Sequence, residues 1–581
     1  MRSFYKLFAR PQALLLAACI LFLTGTAGAQ APAWQWGLQT TNPAPSDLST
    51  ARGNAVATDA AGRVYVGGSY LSRNAVDNAS RSFGSAGTLA AGRGGFVAQA
   101  SAAGQWSWVV EVAPTGPGPG NPGFVSVTGI TVTPTGDIYA TGLAEGASVR
   151  VGTQSRALGP SGLGMFVARL NSAGVCQALQ VAEGNFYLIQ VAPDPSTGGV
   201  VVAGSYQGPA SFGSTTLAAG TAAVVVARLT AAGQWLSATA ASGRARYIAS
   251  LNVAVGAAGQ VGITGSFGQG DMSFGNTTLY TSPNASDALM IAQLSPANQW
   301  QWALGGQGST SSGTFGAAYT ASGALWVNGW GTNGTVVGAT TLLAPGGSAT
   351  QPSYAGFAGQ VSATGQWSMV RQVAGSSGSL VGFFSLRLDG AGNAVMLGSL
   401  RTYSGAAQAS LGGQSLTSPA GGILLFVAGL DAAGQWHYVA AVPQAAVPYG
   451  LFPTDMALDG AGNLYLTGEL QGGLTLGTTP LLGNDYGDVM LGKLANATTL
   501  ASRAASPATA LACYPNPART AATLRLPAAA ATATLTDALG RPVRTYRVPA
   551  HAATATLDLT GLAPGLYGVR CGTASGRLVV E

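Results

Sequence analysis

Val56-Ala57-Thr58-Asp59-Ala60-Ala61-Gly62-Arg63-Val64-Tyr65-Val66-Gly67-Gly68 places apolar alternation on both sides of a turn that contains Asp and Gly. Period-two runs flanking such a turn read as two antiparallel strands, a β-hairpin. The pattern returns at 132–142, 191–204, 253–265, 319–329, 386–398 and 456–468. Its turn is plainest as Asp-Gly-Ala-Gly-Asn, at 389–393 and again at 459–463.

A second element follows each of the first six hairpins at a distance, and one further copy precedes them all. Gly-Gln-Trp stands at 104–106, 233–235, 365–367 and 434–436, Asn298-Gln299-Trp300 is a near copy, and Trp36 follows Gln35 in the same way. Gly174-Val175-Cys176 occupies the remaining slot, with Cys in place of Trp. Between hairpin and Trp strand come a loop with Phe-Gly (Phe83-Gly84, Phe212-Gly213, Phe274-Gly275) and an apolar strand such as 166–170. Each unit thus holds four short strands, and beyond the N-terminal segment no stretch has the 3.6-residue period of a helix. Four antiparallel strands per unit define a propeller blade. The ends fit: Trp34-Gln35-Trp36-Gly37-Leu38 has no blade before it, while the seventh unit, 456–494, lacks a Trp strand. The expected fold is all-β, a seven-bladed β-propeller with four-stranded blades over 30–494. Its N-terminal strand closes the last blade and leaves no edge unpaired. An open β-solenoid is the alternative.

Composition agrees with an array of short strands. The 581 residues include 86 Gly, and only 8% are charged, against about 25% in ordinary globular domains. Arg2, Lys6 and Arg10 supply three of the formal +6 charges. The rest are scattered, which excludes the clustered basic face of a nucleic-acid binder. After the first thirty residues no apolar run approaches the ~18–20 residues of a spanning helix, so no transmembrane span is expected.

Residues 1–29 have a basic start, an apolar stretch from Ala13 to Leu23 and the small-residue site Ala27-Gly28-Ala29, the three parts of a secretory signal cleaved after Ala29. Leu16-Ala17-Ala18-Cys19 offers a lipoprotein alternative, although the apolar run continues past Cys19.

Residues 495–512 are small, polar and aperiodic, hence a linker. From 513 to 581 the repeat phase is lost, and short strands alternate with turns at 537–541 and 563–565, as in a small immunoglobulin-like β-sandwich. Cys513 and Cys571 either form a disulfide there, worth up to about 4 kcal/mol, or stay as free thiols.

The only histidines are His437 and His551, so neither a zinc set nor a Ser-His-Asp triad is expected, and no cofactor or metal is implied. Asp59, Asp389 and Asp459 share one hairpin position; they either ligate calcium or cap their own turns. The pairs Trp34/Trp36, Trp106/Trp108 and Trp300/Trp302 alternate on one strand face, for packing between blades or for stacking on sugars. Trp330 is read as a loop residue outside that pattern, a candidate exposed contact.

The repeat resembles the bacterial β-propeller repeat of long secreted proteins, through Ala-x-Asp-x-x-Gly-Asn-x-Tyr-x-Thr-Gly at 457–468 and the apolar strand 488–494 ending in Lys-Leu. The C-terminal unit resembles the type A sorting domain of the type IX secretion system of Bacteroidetes. Tyr514-Pro515-Asn516-Pro517, Asp537 with Gly540-Arg541, Leu557-Asp558-Leu559, Gly565 with Tyr567, and Gly576-Arg577-Leu578-Val579-Val580 carry that likeness. Glu581 departs from the usual basic or Gln ending. This resemblance implies transit through the outer membrane by the type IX machinery, then surface display or release. The expected role is a non-enzymatic binding or adhesion module for an extracellular glycan or protein. A polysaccharide-active enzyme with funnel carboxylates, or a passive surface-layer component, is the alternative.

Overall fold

The computed structural model describes residues 32–41, 50–71, 80–89, 92–118, 123–283, 285–306, 311–348, 351–402, 405–420, 422–442, 451–484, 486–495, 511–525, 532–537, 542–548, 552–571 and 574–581. The expected signal peptide with its Ala29 cleavage site, Cys19, residues 496–510 of the linker, Gly540, Arg541 and His551 lie outside them. Two compact units are present, one spanning Ala31–Leu500 and the other containing Ala501–Glu581. The fold is all-β: among the described residues the regular structure is strand, apart from a short 3-10 turn at Gly84–Ala86.

In the long unit, the antiparallel pairings fall in consecutive groups of four strands. The first group is Thr50–Thr58, Val64–Leu71, Arg93–Ala100 and Trp106–Thr115. Later groups begin at Phe124–Val132, Ile248–Val255, Ser312–Tyr319, Ser379–Leu388 and Leu451–Leu458, while the long strand Cys176–Asp194 closes the second group and opens the third. The last group takes its fourth strand from the start of the chain, since Ala33–Gln39 pairs with Asp488–Ala495. The Gly-Gln-Trp turns need a left-handed residue. Gly104, Gly174, Gly233, Gly365 and Gly434 have φ between +77° and +80°, and Asn298 takes the same slot at +60°. Asn is among the few non-Gly residues that tolerate this region, which explains why Asn-Gln-Trp is an acceptable copy.

Neighbouring groups are tied by side chains at repeated positions. The first Trp of two Trp-x-Trp strands donates back to the preceding group, Trp106 Nε1 to Gln39 O (3.4 Å) and Trp300 Nε1 to Ala240 O (3.1 Å), whereas Trp34 Nε1 is buried without such a bond. The second donates forward: Trp36 to Ala102 O (3.2 Å), Trp108 to Ser172 O (3.1 Å), Trp302 to Ala363 O (3.0 Å). The first strand of each group also carries a register shift against the second. An extra residue there re-aims a side chain. Asn54 Nδ2 thereby reaches Val127 O (2.8 Å), Thr128 Oγ1 reaches Ile189 O (2.8 Å), and Thr454 Oγ1 of the last group reaches Gly53 O of the first (2.5 Å). All seven first strands line one cavity of about 400 Å³, from Val56 to Leu458.

In the C-terminal unit, Cys513–Tyr514, Ala521–Arg525 and Thr554–Asp558 form one sheet, and Pro542–Arg547, Thr532–Thr536, Gly565–Cys571 and Ala574–Val580 form another. Leu524, Leu557, Leu535, Val569 and Leu578 share a single apolar core. The Cys513–Cys571 disulfide is not formed, and both are free thiols. Cys513 sits in the first sheet and Cys571 in the second, where its Sγ donates to Thr532 O (3.2 Å) and burial raises the thiol pKa. Cys176, in its Trp slot, is buried too, and its thiol is pushed up to about 11.

The hairpin aspartates hold their own turns. Asp459 Oδ1 accepts the amides of Ala461 and Asn463 (both 2.9 Å), and Oδ2 accepts Asn463 Nδ2 (2.8 Å) and Tyr465 OH (3.0 Å). Burial alone raises this carboxyl, but those donors outweigh it and leave the pKa below its ordinary value; Asp59 behaves alike. A depressed folded pKa stabilises the fold above the unfolded value, and the contribution vanishes as pH falls through the folded one. Asp459→Asn keeps one acceptor oxygen and loses the other. It is expected to cost about 1–2 kcal/mol near neutrality and to flatten the fall in stability between about pH 5 and pH 2. Urea titrations across that range check this; a slope equal to the parent's would mean that Asp459 is not linked to folding.

Candidate functional site

Antiparallel order puts the turns between first and second strands and those between third and fourth strands, where the Asp-x-x-Gly and Gly-Gln-Trp motifs occur, at one end of the groups in the long unit. The loops between second and third strands, and those between groups, lie at the other end. At that second end opens a cavity of about 690 Å³. Its aromatic wall includes Trp330, Tyr354, Phe315, Phe384 and Phe452, and its polar groups include Arg52, Arg401, Glu469 and Gln471.

Trp330 is therefore not the loop residue expected from sequence. It lies inside the strand Leu325–Thr332 and is half-buried. The flanking Gly329 and Gly331 conceal the alternation, which is why the strand seemed to end before it. The indole packs on the Tyr354 ring at 4.4 Å between centroids and 37° between planes. Its cross-strand neighbours are Gly313 and Gly356, and a Cβ on Gly313 would stand 3.2 Å from Trp330 Nε1. Glycine on both sides leaves room for the ring to lie along the sheet.

Phe315 and Phe384 were missed in the sequence because each is the extra residue of a register shift, between Thr314 and Gly316 and between Phe383 and Ser385. Strict alternation would assign them to the wrong face. The remaining signal is an aromatic residue inside the first strand of a group, Phe315 among small residues and Phe384 next to Phe383. Arg52, near the start of Thr50–Thr58, and Arg401, near the end of Ala394–Thr402, are exposed. Glu469 Oε1 accepts Gln471 Nε2 (2.7 Å).

The cavity at the centre of the seven first strands is different. Asp455 is the single carboxylate among its described lining. Its oxygens accept Arg387 Nη2 (2.7 Å), Val56 N (3.1 Å) and Ser385 Oγ (3.3 Å), so it joins three groups rather than facing a substrate. Asp59 and Asp389 are engaged in their own turns like Asp459. Among the described residues no three His, Cys, Asp or Glu side chains gather as a metal set, and no helix is long and apolar enough to cross a membrane.

The residues of the C-terminal motif converge on the last strand. Asn516 Nδ2 donates to Arg577 O (2.8 Å), and Val579 N donates to Asn516 Oδ1 (2.8 Å). Ala518 N bonds Val579 O (2.8 Å) beside them. Gly576 passes close under Leu511, whose carbonyl would stand 2.5 Å from a Cβ. Tyr567 OH donates to Ala563 O (2.8 Å), fastening the turn before its own strand, which Gly565 opens. Tyr514 is half-exposed, Pro515 and Pro517 flank Asn516, and Asp537 follows the strand Thr532–Thr536.

Residues 512–581 match the model of the secretion system C-terminal sorting domain. That domain marks proteins exported by a type IX secretion system, so the chain is secreted or displayed on the outer cell surface, and the secretion machinery is a partner. None of the curated proteins matches the sequence. Among solved structures, the chain is similar to PorZ, a surface component of the type IX secretion system of Porphyromonas gingivalis (9% identity, 92% of this chain and 99% of that one, TM-score 0.16). It is also similar to an α-L-arabinanase of Penicillium chrysogenum (11% identity, 63% and 91%, TM-score 0.30) and to a protein of unknown function from Bacteroides caccae (11% identity, 55% and 81%, TM-score 0.27).

Asn516→Ala removes both hydrogen bonds that pin the last strand. It is expected to destabilise the C-terminal unit by about 1–2 kcal/mol and to lower the exported fraction several-fold, with chain accumulating in the periplasm. Cell fractionation with immunoblotting measures this; export at the parent's level would separate the Asn516 clasp from sorting.

Proposed function

We propose that the long unit is a seven-bladed β-propeller, built of repeats like those of secreted bacterial propellers and closed by its N-terminal strand. We propose further that it binds an extracellular carbohydrate without transforming it. The C-terminal unit, in this reading an immunoglobulin-like sandwich, delivers it across the outer membrane. The aromatic cavity carries the proposal. Trp330 and Tyr354 form a platform of the size that stacks on a sugar ring, and a few polar groups surround it, as in small-molecule sites generally. The loops that frame the cavity are the part of such a scaffold free to vary with ligand.

Closure is supported by the bonds that pass from the last group to the first, Thr454 to Gly53 and Val56 to Asp455, at the positions where other groups bond their neighbours. It is supported also by the pairing of Ala33–Gln39 with Asp488–Ala495. The binding role is favoured over a glycosidase because such enzymes need two carboxyl groups within about 5–9.5 Å. Each of the two cavities offers one among its described lining, Glu469 in the first and Asp455 in the second.

The test is a glycan array followed by calorimetry on the mature chain, with chromatography of the incubated polysaccharides. Binding without released oligosaccharides is expected, and Trp330→Ala should weaken it about tenfold or more, in line with the loss of one stacked ring. Release of oligosaccharides, or binding unaffected by Trp330→Ala, would overturn this reading.

A further inference from the structure

The carbohydrate reading leaves the class of sugar open, and the charges in the cavity narrow it. The long unit spends many of its arginines on carboxylates: Arg81 on Asp488 (2.8 Å), Arg228 on Asp194 (2.5 Å), Arg387 on Asp455 (2.7 Å), Arg150 on Glu111 (2.9 Å) and Arg63 on Asp59 (2.6 Å). Arg52 and Arg401 are not used in this way. Both line the aromatic cavity and both are exposed, although they come from different groups of strands, the first and the sixth. Glu469, the single carboxylate among the described lining residues, is engaged by Gln471 instead. Among the described lining residues, two guanidinium groups and one carboxylate therefore surround the aromatic surface, an excess of positive charge beside it.

A guanidinium presents a planar fork of donors that matches carboxylate and sulfate oxygens two at a time, and charge-assisted bonds of this kind are about twice as strong as neutral ones. Arranged on two blades of one cavity, such forks would hold an anionic substituent while the ring stacks on the indole. We propose that the cavity recognises an acidic sugar, one bearing a carboxylate or a sulfate, with Arg52 and Arg401 holding the anion and Trp330 the ring. This rests on the carbohydrate-binding reading above and adds the ligand's charge to it. Because both arginines are exposed, the attraction is screened by salt, over a Debye length of about 10 Å at 0.1 M.

The test is calorimetry of the mature chain with uronate oligosaccharides, sulfated oligosaccharides and neutral oligosaccharides of equal length, at low and high salt. The acidic class should bind at least tenfold more tightly than the neutral one and lose affinity as salt rises; which acidic set is preferred tells carboxylate from sulfate. Arg52→Gln with Arg401→Gln should remove that advantage, so that acidic and neutral oligosaccharides bind with similar affinity and the salt dependence disappears. Both side chains are exposed, and a melting curve matching the parent's verifies that the double variant is folded. Equal or tighter binding of neutral sugars, or an acid preference that survives in the double variant, would overturn the assignment of charge while leaving the carbohydrate reading in place. Absence of binding to any of the three sets would overturn both.

Discussion

The structure of the long unit depends on the pairing of Ala33–Gln39 with Asp488–Ala495. Each group of four strands buries its faces against its neighbours, and an unpaired terminal strand would expose both an edge and an apolar face. The N-terminal strand removes that edge at the seam. Around it, Thr40 N bonds Val489 O (3.0 Å), Ala51 N bonds Gly487 O (2.9 Å), and the buried Arg81–Asp488 pair joins the first group to the last. Burial pushes the Asp488 carboxyl up in spite of Arg81, so that pair is better understood as fixing which strand meets which than as a large source of stability. The close approach at this seam also explains Gly53, where a Cβ would stand 2.2 Å from Thr467 Oγ1.

The same repetition that builds the scaffold sets up the site. Trp side chains at fixed strand positions are consumed between groups, and all but Trp34 of the Trp-x-Trp strands donate their indole N–H to a neighbouring carbonyl. An aromatic residue that breaks the pattern is therefore freer to serve a ligand, and Trp330 is such a residue. The register shift in each first strand has a similar double use. In Asn54, Thr128 and Thr454 it sends a polar side chain to the next group, whereas in Phe315 and Phe384 it delivers a ring to the cavity. One backbone device thus serves cohesion in some groups and lines the cavity in others.

Much of the scaffold was legible because a period recurring seven times is a strong signal even when single copies are poor. Gly174-Val175-Cys176 keeps its slot through the turn glycine, and Asn298 keeps its slot through tolerance of positive φ. The aromatic cavity was much less legible. Period-two reading cannot register a one-residue shift, so Phe315 and Phe384 went unseen, and glycines on either side of Trp330 made a strand look like a loop. Arg52 and Arg401 come from groups of strands far apart in sequence, and only the folding of the array brings them to one cavity. Cys513 and Cys571 illustrate the converse, since residues close enough in composition to suggest a disulfide belong to different sheets and remain thiols.

The proposed closure of a ring by the first strand is the claim on which the proposed site rests, because that strand fixes the first and last groups beside each other. Ala33 and Ala495 are register partners across that pairing, so cysteines at both positions, Ala33→Cys with Ala495→Cys, report on it directly. Mass spectrometry of the oxidised, unreduced protein should find an intramolecular disulfide in nearly every chain, with a raised unfolding temperature. Free thiols, or bonds only between separate chains, would contradict closure and favour an open solenoid.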